Sequence, residues 1–135
     1  MKTIKTMFTS LLLVTLISVS ALAQSEAKVI AVINKADWCG TCEKNAERAM
    51  SALMESNKDG AVQFVANDLT NKETKAKCTM ELKKHGLDKA VASFNSTGMV
   101  YFFNSETKTL IGQISVAKSD HELAQALTNV KKGVN

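Results

Sequence analysis

The sequence predicts an α/β domain: a mixed four-stranded sheet, βαβ followed by ββα, with helices on both faces. Three observations carry that expectation. Short apolar runs rich in β-branched and aromatic residues alternate with longer segments of helical period. The first run is apolar at successive positions, as in a strand covered on both sides. The last two runs are separated only by a short polar turn, the spacing of a hairpin.

Each element has its own signal. "KVIAVIN", residues 28–34, is the first strand. A helix follows from about Gly40, with Ala46, Ala49, Met50, Leu53 and Met54 on its apolar face and Glu43, Lys44, Glu47, Arg48 and Glu55 opposite. "AVQFVANDL" (61–69) is the second strand, and "NKETKAKCTMELKKHG" (71–86) a second helix stopped by Gly86. "GMVYFFN" (98–104) and "TLIGQISV" (109–116) form the hairpin around Asn104-Ser105-Glu106. The last helix begins at Ser119, where Ser119 and Glu122 make a capping box and Leu123, Leu127 and Val130 give the apolar stripe. A crossover through the first helix makes the first two strands parallel and the connection right-handed.

Residues 1–23 stand apart from this pattern. Lys2 and Lys5 precede the apolar run "FTSLLLVTLISVSALA", which closes on the small-x-small triplet Ala21-Leu22-Ala23. That is the form of a cleaved secretory signal peptide of bacterial type. The run is short for a bilayer span and broken by Thr15, Ser18 and Ser20, so no stable membrane insertion is expected after cleavage. The mature domain, 24–135, then works in the periplasm or as a secreted protein. Losing Lys2 and Lys5 takes the formal charge from +4 to +2, with acids and bases mixed, which excludes a nucleic-acid-binding surface. Three cysteines are too few for a disulfide scaffold, and the odd number leaves at least one unpaired within the chain.

The chemistry concentrates in "KADWCGTCEK", residues 35–44. A Cys-x-x-Cys spacing suits a redox pair, half of a zinc site or a structural staple. Its position favours the first. Cys39 falls where the first strand gives way to a helix, and unpaired N–H groups with the macrodipole favour an anion there. The thiolate is such an anion and is the attacking species in disulfide exchange. Cys42 lies one turn later on the same side.

The element order together with Trp38-Cys39-Gly40-Thr41-Cys42 resembles the thioredoxin-like family over about residues 27–132. The resemblance implies that Cys39 attacks a substrate disulfide and that Cys42 resolves the mixed disulfide. It implies further that Trp38 shields the pair and offers partner proteins an apolar platform, and that no cofactor is needed. The sequence departs from the family at three places. Ile33 stands where many members bury an aspartate six residues before the attacking cysteine. The chain contains no proline, so the family's cis-proline loop facing the cysteines is replaced. Counting along "FNSTGMVYFF" places Thr97 at that substrate-binding position, or Asn95 from the other end. Thr41 replaces the proline common between the cysteines, and its hydroxyl is a candidate donor to a thiolate.

The expected function is therefore an exported thiol:disulfide oxidoreductase acting on protein thiols or disulfides, with a membrane protein as a candidate electron donor. Ile33 and the missing proline motivate one alternative, a binding module of the same fold with little turnover. A carrier of a soft ion such as Cu(I) on the same two thiols is another. A zinc site would have to recruit Cys78 and His85, whose spacing is outside the usual knuckles, so no metal ligands are assigned. Cys78 reads as a small buried hydrophobe. His85, at a helix end, and His121, in a first helical turn, read as surface residues, as do Asp37 and Glu43.

Overall fold

Five consecutive apolar side chains, Val29 to Ile33, leave the first strand no solvent face, so it belongs in the middle of a sheet. The computed structural model describes residues 26–135, and there this strand, β1 (Val29–Lys35), is central. The leader assigned to residues 1–23 lies outside the described residues. The elements that follow are α1 (Gly40–Glu55), β2 (Val62–Asp68), α2 (Lys72–Lys84), α3 (Asp88–Val91), β3 (Met99–Asn104), β4 (Leu110–Ser115) and α4 (Asp120–Lys132). The sheet order is β2-β1-β3-β4. Strand β2 runs parallel to β1, from Val29 opposite Val62 to Lys35 opposite Asp68. β3 runs antiparallel on the other side, and β4 pairs antiparallel with β3 through a bulge at Phe102/Phe103.

Because side chains alternate across a strand, β1 feeds two cores. Val29, Ala31 and Ile33 pack with Ala49 and Leu53 of α1 and with Leu123, Leu127 and Val130 of α4. Ile30 and Val32 pack on the other face with Leu82 of α2, Leu87, and Val91 of α3. Tyr101 and Phe103 join this second core, whereas Phe102 joins the first. Helices thus cover both faces, as the sequence predicts.

Three local features differ from the sequence expectation or refine it. Helix α3 was not anticipated, because four residues are too few to display a helical period. It follows a glycine-terminated end of α2: Gly86 adopts φ +69°, and Leu87 N–H donates to Leu82 O while Gly86 N–H donates to Lys83 O. This Schellman arrangement turns Leu87 back onto Leu82 in the second core. Met54, expected on the apolar face of α1, is exposed, since the stripe that reaches the sheet is carried by Ala49 and Leu53. Far from α3, Lys28 Nζ donates to Asn135 Oδ1 at 3.0 Å, placing the last residue beside the start of β1.

Candidate functional site

Lys35 ends β1, and the chain turns through Ala36, Asp37 and Trp38, with Cys39 N–H donating to Ala36 O at 3.1 Å. Cys39 is the N-cap of α1: its backbone is extended, φ −87° and ψ 103°, and its Sγ accepts the N–H of Cys42 at 3.2 Å. A side chain in that position ordinarily carries an oxygen acceptor; here sulfur takes the role, so negative charge on it is directed at a helix N-terminus. A disulfide joins Cys39 to Cys42, with Cα atoms 5.2 Å apart. Each cysteine keeps 7% of its surface exposed, and the two cluster with Ala36. The pair is mostly covered but not sealed.

Beside it, Trp38 is 64% exposed. Its ring is not free, because Nε1 donates to Thr70 O at 3.2 Å, and Asp37 N–H donates to Thr70 Oγ1 at 3.0 Å. Thr70 is fixed in turn by Asp68 at the end of β2. Its hydroxyl and its N–H (2.9 Å) both donate to Asp68 Oδ1. Those two bonds, with Lys35 4.0 Å away, hold the Asp68 carboxyl below the usual aspartate range. The turn carrying Trp38 thus leans on the loop after β2.

The third wall is the segment before β3. Gly98 adopts φ +73°, and a Cβ built on it would lie 3.7 Å from Cys39 Sγ and 3.2 Å from Thr41 Cγ2. Its N–H donates to Asn34 O at 2.8 Å, and its carbonyl accepts from Val116 N–H at 2.9 Å. All peptide bonds among the described residues are trans. The residue set against the sulfur is therefore Gly98, with Thr97 its neighbour and Asn95 further back and exposed. Gly98 contributes only backbone there.

No family model matches the chain, and no curated protein matches it. Solved structures do. A thioredoxin-related protein from Neisseria meningitidis serogroup B superposes with a TM-score of 0.51 at 18% identity, over 83% of this chain and 90% of that one. Thioredoxin from Malassezia sympodialis gives 0.51 at 16% identity, over 77% and 78%. The structure of MTB dsbF, described in mixed oxidized and reduced forms, gives 0.51 at 18% identity, over 77% and 81%. The fold is thioredoxin-like.

Within this thioredoxin-like frame, the remaining sequence candidates find their places. Ile33 is buried in the core under α1, and the buried polar side chains among the described residues are Asn34 and Asn67, neither of them a carboxylate. Asp37 and Glu43 are exposed. The Thr41 hydroxyl donates to neither sulfur; its methyl is what approaches Gly98. Cys78 is half-buried rather than buried, and its Sγ accepts the N–H of Asp68 at 3.2 Å. His85 caps the end of α2 beside Glu81, and His121 is exposed in the first turn of α4. Among the described residues no three His, Cys, Asp or Glu side chains converge, so Cys78 and His85 do not join the pair.

Two site residues went unnoticed in the sequence. Asn34 carried a signal, a polar residue at the end of an apolar run. Arg48, placed on the polar face of α1, instead reaches across to the turn after β4 and to α4. It donates to Val116 O (2.8 Å) and Lys118 O (3.0 Å) and pairs with Asp120. Since Val116 holds the Gly98 carbonyl, Arg48 ties α1 to the wall opposite its own first turn.

Proposed function

We propose that this chain is an exported thiol:disulfide oxidoreductase that exchanges disulfides with protein substrates through Cys39 and Cys42. The observation that carries the reading is the N-cap role of Cys39, whose sulfur accepts the Cys42 N–H at the start of a sixteen-residue helix. That environment favours the thiolate and so makes Cys39 the attacking and leaving sulfur. Trp38, exposed at its side, offers apolar area to a partner. The leader read at residues 1–23 supports export, to the periplasm or beyond.

In the reducing direction the Cys39 thiolate attacks one sulfur of a substrate disulfide. The S–S bond breaks, and the other substrate sulfur departs as a thiolate. Cys42 loses its proton to water, attacks Cys39 Sγ and releases the second substrate thiolate. Two electrons have then passed from the protein dithiol to the substrate, leaving Cys39–Cys42 oxidised. Regeneration takes two electrons from a dithiol donor, a membrane protein in the exported setting. Run backwards from the disulfide, the same steps oxidise a substrate dithiol.

Reduction of insulin by dithiothreitol tests the reading. The protein is expected to accelerate it, Cys39→Ser to abolish the acceleration, and Cys42→Ser to accumulate a mixed disulfide with substrate. Wild-type rates equal to those of Cys39→Ser would leave the chain a binding module of this fold.

A further inference from the structure

Asn34 is fully buried, yet the exchange chemistry gives it nothing to do. Two of its hydrogen bonds converge on one stretch of chain. The side-chain Nδ2 donates to Phe94 O at 2.7 Å, and the main-chain carbonyl accepts the N–H of Gly98 at 2.8 Å. Asn67, itself buried on β2, donates its Nδ2 to Asn34 Oδ1 at 2.8 Å and so fixes which way the amide faces. One residue therefore grips both ends of the segment 94–98. At one end the Phe94 ring is also anchored, 4.9 Å from Tyr101 and 5.9 Å from Phe103. At the other end Gly98 abuts Cys39.

Between the two grips, the main-chain N–H and C=O groups of Asn95, Ser96 and Thr97 have no hydrogen-bond partner among the described residues. A backbone stretch left open in this way, next to a reactive disulfide, suits pairing with an extended polypeptide. The pairing is only useful if the stretch is held still, because a loose loop must be ordered at the moment of binding.

We propose that Asn34 is a positioning residue for protein substrates: by clamping Phe94 and Gly98 it presents residues 95–97 to the backbone of a polypeptide reacting at Cys39. The inference rests on the oxidoreductase reading above and adds to it a division of labour. Cys39 and Cys42 set reactivity toward any disulfide. The Asn34–Asn67 pair sets how well a polypeptide is held while it reacts.

The test compares a protein disulfide with a small one. Asn34→Leu keeps the γ-branched shape and removes both side-chain bonds; Asn34→Thr, a β-branched residue whose hydroxyl is too short to reach Phe94, serves if the leucine variant does not fold. Asn67→Leu leaves the Phe94 bond in place and is the internal control. For Asn34→Leu, KM for insulin should rise about three- to tenfold, the scale of one hydrogen bond, with kcat little changed. The rate with oxidised glutathione and the reduction potential should stay at wild-type values, and Asn67→Leu should lie between the two on insulin. Equal losses on insulin and glutathione, or an unchanged KM for insulin, would overturn the positioning role while leaving the oxidoreductase standing. Wild-type protein no faster than Cys39→Ser on either substrate would overturn both.

Discussion

A φ of +73° places Gly98 where an L-residue is strained by about 1–3 kcal/mol and where a proline ring, locked near −65°, does not fit at all. Proline would also delete the N–H that Gly98 donates to Asn34 O. The absence of proline is therefore built into the backbone at this point. Gly98→Ala should destabilise the protein by about 1–3 kcal/mol in urea titrations, from backbone strain joined to the close approach to Thr41. Gly98→Pro should cost more. The other departure, Ile33, acts on kinetics. In the exchange proposed above, no buried carboxylate lies under the pair to take the Cys42 proton, which leaves solvent as the acceptor. Stopped-flow release of substrate from the mixed disulfide should therefore speed up as pH rises above neutrality. A rate independent of pH there would point to a hidden base.

How far these residues were legible follows from what each contributes. Cys39, Cys42 and Trp38 announce themselves by side-chain type and spacing. Gly98 acts through a missing side chain and a positive φ, 59 residues away along the chain from Cys39, and only the glycine ahead of an apolar run hinted at it. Asn34 and Asn67 meet because parallel pairing sets them opposite each other, a register that no local pattern specifies.

Elements are defined by their ends as much as by their periods. α4 opens on a reciprocal capping box, Ser119 Oγ accepting the Glu122 N–H while the Glu122 carboxylate accepts the Ser119 N–H. Ser119→Ala should lower stability by about 1 kcal/mol, read as a shift of the thermal midpoint. This cap was visible in the sequence, as was the glycine end of α2, because both depend on residues close together in the chain. The packing of β4 was not. A Cβ on Gly112 would lie 2.9 Å from Val130 Cγ1 and 3.6 Å from Phe102, so α4 rests directly on bare backbone there. Gly112→Ala should cost about 1–3 kcal/mol by forcing Val130 away, measurable in the same urea titrations.

The loop after β2 adds a pH dependence to this level. The folded chain holds the Asp68 carboxyl below its unfolded value of about 3.9, chiefly through the bonds from Thr70. The stability this contributes is complete above that value and is lost as pH falls through the lower, folded one. Asp68→Asn should accordingly be less stable than wild type at neutral pH, with the difference shrinking in acid. Asp68→Ala, which removes the acceptor altogether, should free Thr70 and loosen the turn that carries Trp38, seen as a change in tryptophan fluorescence.

For the molecule as a whole, the double role of β1 means that its two faces answer to different helices. Leu53→Ala and Leu82→Ala should each cost about 2–5 kcal/mol, since both side chains are buried. Only the first lies in the core beneath α1, the helix whose N-terminus receives Cys39. The layered architecture was legible from the alternation of elements. The assignment of helices to faces was not, because it depends on the sheet order β2-β1-β3-β4.

The contact between Lys28 and Asn135 gathers the two ends of the described residues at the entry to β1, whereas the disulfide follows its exit. Seven strand residues at about 3.3 Å each set the two regions on the order of 20 Å apart. A fluorophore, purification tag or tether joined through Asn135 should therefore hang clear of any docked polypeptide. Immobilising the protein by that end should leave its exchange rate unaltered.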